Sequence, residues 1–187
     1  MGRKDFGAKP LSYPQPVWII STYDENGNPD AMNAAWTGIS DFEEVMLCLS
    51  HGHKTVKNIL AGNEFVVSMA DAEHVASCDF VGLVSANDDK DKIKKSGFTF
   101  TKAKNVNAPY INELSVAIEC RMKSYDPSTG HMLAQIVNVS VDDSVLDENG
   151  KVDYKKVRPI TFDPFNNKYV ELGEVVGEAF KVGAKLK

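Results

Sequence analysis

The sequence is poor in cysteine and contains no long hydrophobic run. Its 187 residues include three cysteines, Cys48, Cys78 and Cys120, which lie far apart and form no CxxC pair. Neither a disulfide framework nor a thiolate zinc site is therefore expected. No apolar stretch approaches the roughly 20 residues of a membrane-spanning helix, and the first residues lack the apolar segment of a secretory signal. We expect a protein of the reducing cytoplasm with no membrane partner.

An excess of positive charge is also absent. Lys and Arg number 21 against 26 Asp and Glu, which gives a formal net charge of −5. This balance argues against a nucleic-acid partner, because such proteins usually present a basic face. The chain has no GxGxxG, Walker loop, HExxH or GxSxG motif, which disfavours the enzyme classes that depend on them. His51 and His53 have metal-like spacing, but a zinc site needs three or four ligands, so no metal is expected.

The composition that remains is that of an ordinary globular protein, with 43% hydrophobic and 25% charged residues. The length predicts one domain over residues 1–187. Residues 1–16, rich in Pro, Gly and Lys, are expected to form an extended arm. Residues 162–169 are interpreted as irregular, and 162–187 as a C-terminal tail.

Hydrophobic patterning predicts many strands and few helices. Runs of β-branched and aromatic residues or short apolar stretches predict strands at 17–23, 30–36, 45–50, 64–69, 115–125 and 131–141. Helical spacing of apolar residues predicts helices near 54–62, over 72–83 and just before Gly97. Because no βαβ alternation occurs, the pattern favours a mainly β fold, an antiparallel barrel with flanking helices.

Residues 30–40 suggest a ligand-binding strand end. Small side chains alternate there with Asn33, Trp36 and Thr37, and small residues allow a flat ligand to approach the backbone closely. Thr37 and Gly38 are also candidates for an anion pocket lined by amides. The alternative is a core strand in which Trp36 is a packing residue, and the residues alone leave both interpretations open.

Two further segments carry hydroxyl groups and cations. In 50–58, Lys54 and Thr55 lie at the start of a predicted helix, where free amides attract anions; simple helix capping by Ser or Thr is the alternative. In 85–95, we interpret Lys90, Lys94 and Lys95 as a solvated face. Lys92 differs, since its neighbour Ile93 is an apolar anchor that can hold it near a fixed site.

Taken in order, these segments resemble the flavin reductase-like, FMN-binding split-barrel proteins, and most closely their flavoredoxin branch. The matching pieces are PVWIIST, NAAWTGIS, HKTVKNILAGNEFVVSM, DFVGLVSANDDKDKIKKSGF and NVNAPYINELSVAIECRM. They extend from about residue 14 to 125. The resemblance implies a split β-barrel that forms a homodimer and binds FMN non-covalently, with the C-terminal tail as a candidate part of the interface.

The resemblance also implies an activity and a set of cofactor-binding residues. The activity is flavin reduction by NAD(P)H, or electron transfer through bound FMN to a redox protein partner. Residues along the flavin would be Asn33, Ala34, Ala35, Trp36 and Thr37, residues near the phosphate Ser50, His53, Lys54 and Thr55, and a third group approaching the cofactor Ser85, Asp91 and Lys92. No catalytic side chain is assigned, because the flavin itself carries the redox step.

This chain departs from the family pattern at three positions. Relatives often carry Asn where Asp30 stands, Thr where Asn33 stands and Arg where His53 stands. Two alternatives therefore remain beside the reductase, namely an FMN carrier without NAD(P)H turnover and a split barrel that binds another ligand. The sequence does not distinguish NADH from NADPH.

Overall fold

The computed structural model describes residues 2–186, and most of its regular structure is β. The strands are β1 Gln15–Pro16, β2 Trp18–Tyr23, β3 Pro29–Ala34, β4 Thr37–Asp41, β5 Glu44–Cys48, β6 Glu64–Met69, β7 Phe100–Lys102, β8 Pro109–Ile111, β9 Val116–Asp126, β10 His131–Val141, β11 Ile160–Asp163 and β12 Lys168–Glu171. The helices are α1 Lys54–Gly62, α2 Val75–Leu83, α3 Lys92–Ser96 and α4 Tyr154–Val157, with 3₁₀ turns at Asp143–Val145 and Val182–Leu186.

A seven-stranded antiparallel sheet with the order β3-β2-β6-β9-β10-β5-β4 forms the main layer. Met32 of β3, near one edge, and Leu47 of β5, near the other, belong to the same buried cluster. Strands from opposite ends of the sheet share one core only if the sheet curls, so the strands wrap around that core. The predicted mainly β, antiparallel architecture with flanking helices is confirmed.

Two helices pack beside β3 and place their ends at its edge. Val56 and Ile59 of α1 are fully buried in the main core, which is the apolar face that the sequence predicts. Helix α1 ends at Gly62, as predicted, and the next residue, Asn63, takes the left-handed conformation at φ 63° with its N–H bonded to the Ile59 carbonyl. Helix α2 packs against β3 through the second core cluster, which includes Cys78 and Val81.

The prediction of irregular structure at 162–169 is wrong. Strands β11 and β12 form a hairpin there, and β1 from the N-terminal arm pairs with β11 in a small three-stranded sheet. The Gln15 N–H donates to Thr161 Oγ1 at 2.9 Å, and that hydroxyl donates back to the Gln15 carbonyl at 2.8 Å. The arm therefore ends in a strand, and the chain leaves the last strand only after Glu171.

Candidate functional site

A cleft opens where β3 ends, between the start of α1 and the end of α2. Its first part is a cavity of about 390 Å³. The floor is the run from Met32 to Trp36, and the sides come from residues 48–53, from α2 and from the β11–β12 hairpin. The segment that the sequence marked as a ligand-binding strand end therefore lies at the bottom of an open cleft.

Strand β3 turns a row of backbone groups toward this cleft because it is an edge strand of its sheet. The Ala31 carbonyl points away from β2 and accepts a hydrogen bond from Lys92 Nζ at 2.6 Å. Alternate residues of an antiparallel strand point their N–H and C=O groups to the same side. The N–H and C=O groups of Asn33 therefore also point away from β2. In this orientation they can hydrogen-bond a planar ligand.

Close packing of α2 against β3 fixes the shape of the cleft. The Asn33 side chain donates from Nδ2 to the Cys78 carbonyl at 3.0 Å. A Cβ atom added at Gly82 would lie 2.8 Å from the Asn33 Cβ, closer than two such atoms can approach. Gly82 is thus the residue that lets the helix lie directly over the strand.

Aromatic side chains form one wall of the cavity. Trp36 is 43% exposed, which contradicts the interpretation of this residue as core packing. Phe162 and Tyr169 also line the cavity, with their ring centroids 6.2 Å apart, and the Tyr169 hydroxyl donates to Asp79 Oδ1 at 2.7 Å. Burial and the Asp79 carboxylate raise the Tyr169 pKa, so this phenol remains a hydrogen-bond donor at neutral pH. The wall suits a flat aromatic ligand.

The cleft continues into a second cavity of about 220 Å³ at the start of α1. The two cavities share His53 and Gly82 among their lining residues, and the second reaches Lys54, Ser85 and Lys92. The His53 side chain makes no capping hydrogen bond, and the first turn of α1 contains no acidic residue. The simple capping interpretation is therefore not observed, and free amides together with the Lys54 ammonium suit an anion.

The loop after α2 is held against the start of α1 by one asparagine. Asn87 Nδ2 donates to the Gly52 carbonyl and to Ser85 Oγ, each at 3.1 Å, and its Oδ1 accepts from Lys57 Nζ at 3.3 Å. These bonds fix Ser85 at the edge of the second cavity. An asparagine in a charged loop is an ordinary residue, so nothing in the local sequence singles out Asn87.

A buried ionic group lies behind the second cavity. Thr55 Oγ1 donates to Asp30 Oδ2 at 2.6 Å, while Lys92 Nζ lies 3.5 Å from Asp30 Oδ1. All three residues are buried: Thr55 is 1% exposed, and Asp30 and Lys92 are each 3% exposed. Burial lowers the Lys92 pKa, and the Asp30 charge opposes that shift. Asp30 thus anchors α1 and α3 to β3, so the Thr55 hydroxyl is already engaged in the fold.

Ten of the twelve residues predicted for cofactor binding line one or both cavities. They are Asn33, Ala34, Ala35, Trp36, Ser50, His53, Lys54, Thr55, Ser85 and Lys92. Thr37 and Asp91 line neither cavity: Thr37 lies on β4 and its buried Oγ1 finds no partner within residues 2–186. Asp91 is an exposed residue that precedes α3.

Sequence reasoning missed the contributions of α2 and the C-terminal hairpin. Asp79, Gly82 and Leu83 come from α2, and Phe162 and Tyr169 come from a region interpreted as irregular. A glycine within an otherwise apolar helical pattern was the available signal for Gly82, because such a glycine often marks close packing. Nothing local indicated that residues 162–169 return to the cleft.

Two further observations concern metals and membranes. Over residues 2–186, no group of three or more His, Cys, Asp or Glu side chains is arranged to hold a metal ion. Within the same range, no helix combines the length and the apolar character needed to cross a bilayer.

The sequence matches the family model described as "Flavin reductase like domain" over residues 11–161. The structure of flavoredoxin of Desulfovibrio vulgaris (Miyazaki F) is 32% identical, with a TM-score of 0.92, and the match covers 97% of this chain and 100% of that chain. An FMN-binding domain of a flavin reductase-like enzyme from Shewanella baltica OS155 is 19% identical, with a TM-score of 0.78, covering 88% of this chain and 89% of that chain. A protein of Aquifex aeolicus (strain VF5) is 30% identical over 159 residues, 80% of this chain and 81% of that protein. The predicted split-barrel fold is confirmed.

Proposed function

The chain belongs to the flavin reductase-like domain family, and on this basis we propose that it is an oxidoreductase that holds FMN non-covalently in the cleft. At the coarse level, the family supports a flavin-binding protein of the oxidoreductase type. The finer proposal is that NAD(P)H reduces the bound flavin. The continuity of the cleft from the aromatic wall to the start of α1 supports the binding of FMN, and membership of the flavin reductase-like family supports its reduction.

The residues of the cleft fit the two chemically different ends of FMN. The aromatic wall with Trp36, Phe162 and Tyr169 suits the flat ring system, and the small residues Ala34 and Ala35 let that ring approach the strand. The phosphate end suits the second cavity, where Lys54 and the uncapped amides at the start of α1 supply positive charge and donors. His53 would contribute less than an arginine fork, because an imidazole cannot make the bidentate pair of N–H bonds that a guanidinium makes to phosphate.

Bound FMN would supply the redox chemistry by accepting a hydride from NAD(P)H. The protein's part is to hold the ring, exclude water from one of its faces and orient it against β3. Outward-facing amides near Asn33 stabilise negative charge on an adjacent ring without any proton transfer. No side chain is assigned as an acid or base, and Asp79 is already hydrogen-bonded to Tyr169.

The phosphate assignment predicts a selective effect of replacing Lys54. We expect Lys54→Ala to weaken FMN about tenfold, because a charge-assisted contact to phosphate is lost, and to change riboflavin affinity by less than about twofold, because riboflavin lacks the phosphate. Fluorescence titrations of both flavins into wild type and variant measure this. Lys94→Ala is the matched control, since Lys94 is exposed on α3 and lines neither cavity.

Three results would contradict three different parts of the proposal, namely the phosphate assignment, the reduction by NAD(P)H and the binding of FMN. Equal losses for FMN and riboflavin in Lys54→Ala would remove the phosphate assignment. FMN that binds but stays oxidised with both NADH and NADPH would favour the carrier. Failure of micromolar protein to quench FMN fluorescence would favour a barrel for another ligand. Stopped-flow mixing with the two nicotinamides also decides which is preferred.

We also propose that the chain forms a homodimer, supported by apolar side chains on the free edge of the sheet. Edge strand β4 and the adjoining turn expose Ile39 and Phe42, which are 61% and 100% exposed. A free apolar edge of this kind is usually covered by a partner. Sedimentation equilibrium should give twice the chain mass of 20.6 kDa, and a monomer at micromolar concentration would contradict the proposal.

A further inference from the structure

Part of the aromatic wall of the cleft belongs to a small sheet of its own. Phe162 and Tyr169 lie opposite each other on β11 and β12, and both line the first cavity. These two strands and β1 form a three-stranded sheet that is separate from the seven-stranded main sheet. The contacts that hold the β11–β12 hairpin therefore decide where this wall of the cleft lies.

The hairpin is fixed to the body of the protein at its base and at its middle. At the base, the Ile160 N–H donates to the Ala70 carbonyl at 3.2 Å. At the middle, the Tyr169 hydroxyl bonds to Asp79 on α2. The turn over residues 164–167 lies at the far end of two four-residue strands, so its position depends on a further contact.

The N-terminal arm supplies that contact through Tyr13. The Tyr13 hydroxyl donates to Asp163 Oδ1 at the end of β11, and its ring stacks on Phe165 with centroids 5.1 Å apart and planes 18° apart. Asp163 also accepts from the Phe165 N–H at 2.9 Å and from Asn166 Nδ2 at 2.8 Å. One carboxylate, only 5% exposed, thus organises the turn and receives the arm. We call these contacts of Tyr13 with Asp163 and Phe165 the clasp.

The clasp and the cleft lie on opposite faces of the hairpin. Successive side chains of a strand point to opposite faces, so Asp163 points away from the face on which Phe162 lines the cavity. Tyr13 itself is not among the residues that line either cavity. Any effect of Tyr13 on a ligand must therefore pass through the hairpin.

We propose that Tyr13 is a positioning residue for the flavin cleft, because the clasp keeps the β11–β12 hairpin closed against α2. This inference rests on the proposed function, since the ligand that the wall faces is the flavin. Without the clasp, the turn of the hairpin is free to move outward, and the bond between Tyr169 and Asp79 breaks more often. Bound FMN then loses contact with Phe162 and Tyr169, while the main sheet stays folded.

The test measures FMN binding by fluorescence titration in three variants of the arm. Tyr13→Ala should weaken FMN about fivefold, because it removes both the hydrogen bond and the stacking of the clasp. FMN bound at saturation should also be brighter than in wild type, because a displaced aromatic wall quenches it less. Tyr13→Phe should recover part of both effects, since its ring still stacks on Phe165. Phe6→Ala is the matched control, because Phe6 lies on the same arm and is as exposed as Tyr13, each at 54%.

Hydrogen exchange followed by mass spectrometry tests the clasp in the protein without flavin. Tyr13→Ala should raise the exchange of amides in residues 160–171 and leave the amides of β2, β6 and β9 unchanged, because only the hairpin loses a contact. Phe6→Ala should leave both regions as in wild type.

Contrary results separate the inference from the proposed function. If wild type binds FMN and Tyr13→Ala binds it with the same affinity and brightness, the clasp does not position the wall and the inference is wrong. Faster exchange in all strands together would show a general loss of stability instead of a local one, and would also overturn it. Failure of wild type to bind FMN would overturn the proposed function, and the assignment of Tyr13 to a flavin cleft would fall with it.

Discussion

Replacing Lys92 with Met is expected to lower the free energy of unfolding by about 3–5 kcal/mol, because the Asp30 carboxylate would stay buried without its cation. Lys92 Nζ also donates to the Ala31 carbonyl at 2.6 Å, and that bond would be lost as well. The long apolar side chain of Met keeps most of the volume of Lys92, so the loss would report charge and hydrogen bonding rather than a cavity. Urea unfolding followed by circular dichroism measures the change.

A double-mutant cycle separates the pair from its surroundings. Asp30→Asn combined with Lys92→Met removes both charges and leaves an amide that still accepts from Thr55, so we expect the double variant to recover a large part of the stability. Lys94→Met is the control for an exposed lysine on the same helix. A loss below about 1 kcal/mol in Lys92→Met, or strictly additive effects in the double variant, would show that the pair is not coupled.

Replacing Glu119 with Ala is expected to cost about 3–4 kcal/mol of unfolding free energy, because several hydrogen bonds to one buried carboxylate would be lost together and a cavity would remain. Glu119 is fully buried on β9. Its carboxylate accepts from the Asn105 N–H at 2.7 Å, from Asn138 Nδ2 at 2.8 Å and from the Tyr110 hydroxyl. These bonds fasten the segment between β7 and β8 onto the main sheet.

The same carboxylate predicts a dependence of stability on pH. Burial opposes ionisation of Glu119, but bonds from Tyr110, Asn138 and Asn105 outweigh it and hold its pKa below the ordinary value. A carboxyl group whose pKa is lowered by folding stabilises the folded state at pH values above its unfolded-state pKa of about 4.3. This contribution is lost as the pH falls through the folded-state pKa.

Glu119→Gln should therefore flatten the acid limb of the stability curve measured by urea unfolding between about pH 3 and 7. Glu148→Gln is the matched control, because Glu148 is exposed in the loop after β10. If Glu119→Ala unfolded within about 1 kcal/mol of wild type, the carboxylate would not be fastening the segment.

Local patterns were sufficient for the elements whose stability is local. The Asn-Gly turn between β2 and β3 has Gly27 at φ 78°, and α3 ends at Gly97 with φ 77°, as glycine at these positions predicts. The long hairpin of β9 and β10 closes through residues 127–130, which include Pro127 and a glycine, Gly130, at φ 76°. In these cases the residues that decide the structure lie within a few positions of one another.

Strands that depend on distant partners were not predictable in this way. Strand β11 is ordered by pairing with β1, some 146 residues earlier in the chain, and strands β7 and β8 have only three residues each. Strand β4 lies at a free edge of the sheet, and none of its residues is fully buried, so its sequence shows no alternation of buried and exposed positions. Short edge strands bury too little apolar surface to leave a readable pattern.

By itself, the sequence determined the class of fold, the order of its main strands and helices, and a small-residue strand end and a cationic helix start, both of which line the cleft. Only the tertiary structure decided what completes the cleft: Asp79 and Gly82 from α2, and Phe162 and Tyr169 from the last hairpin. Periodicity and turn residues encode local structure, whereas a cavity exists only between segments that folding brings together.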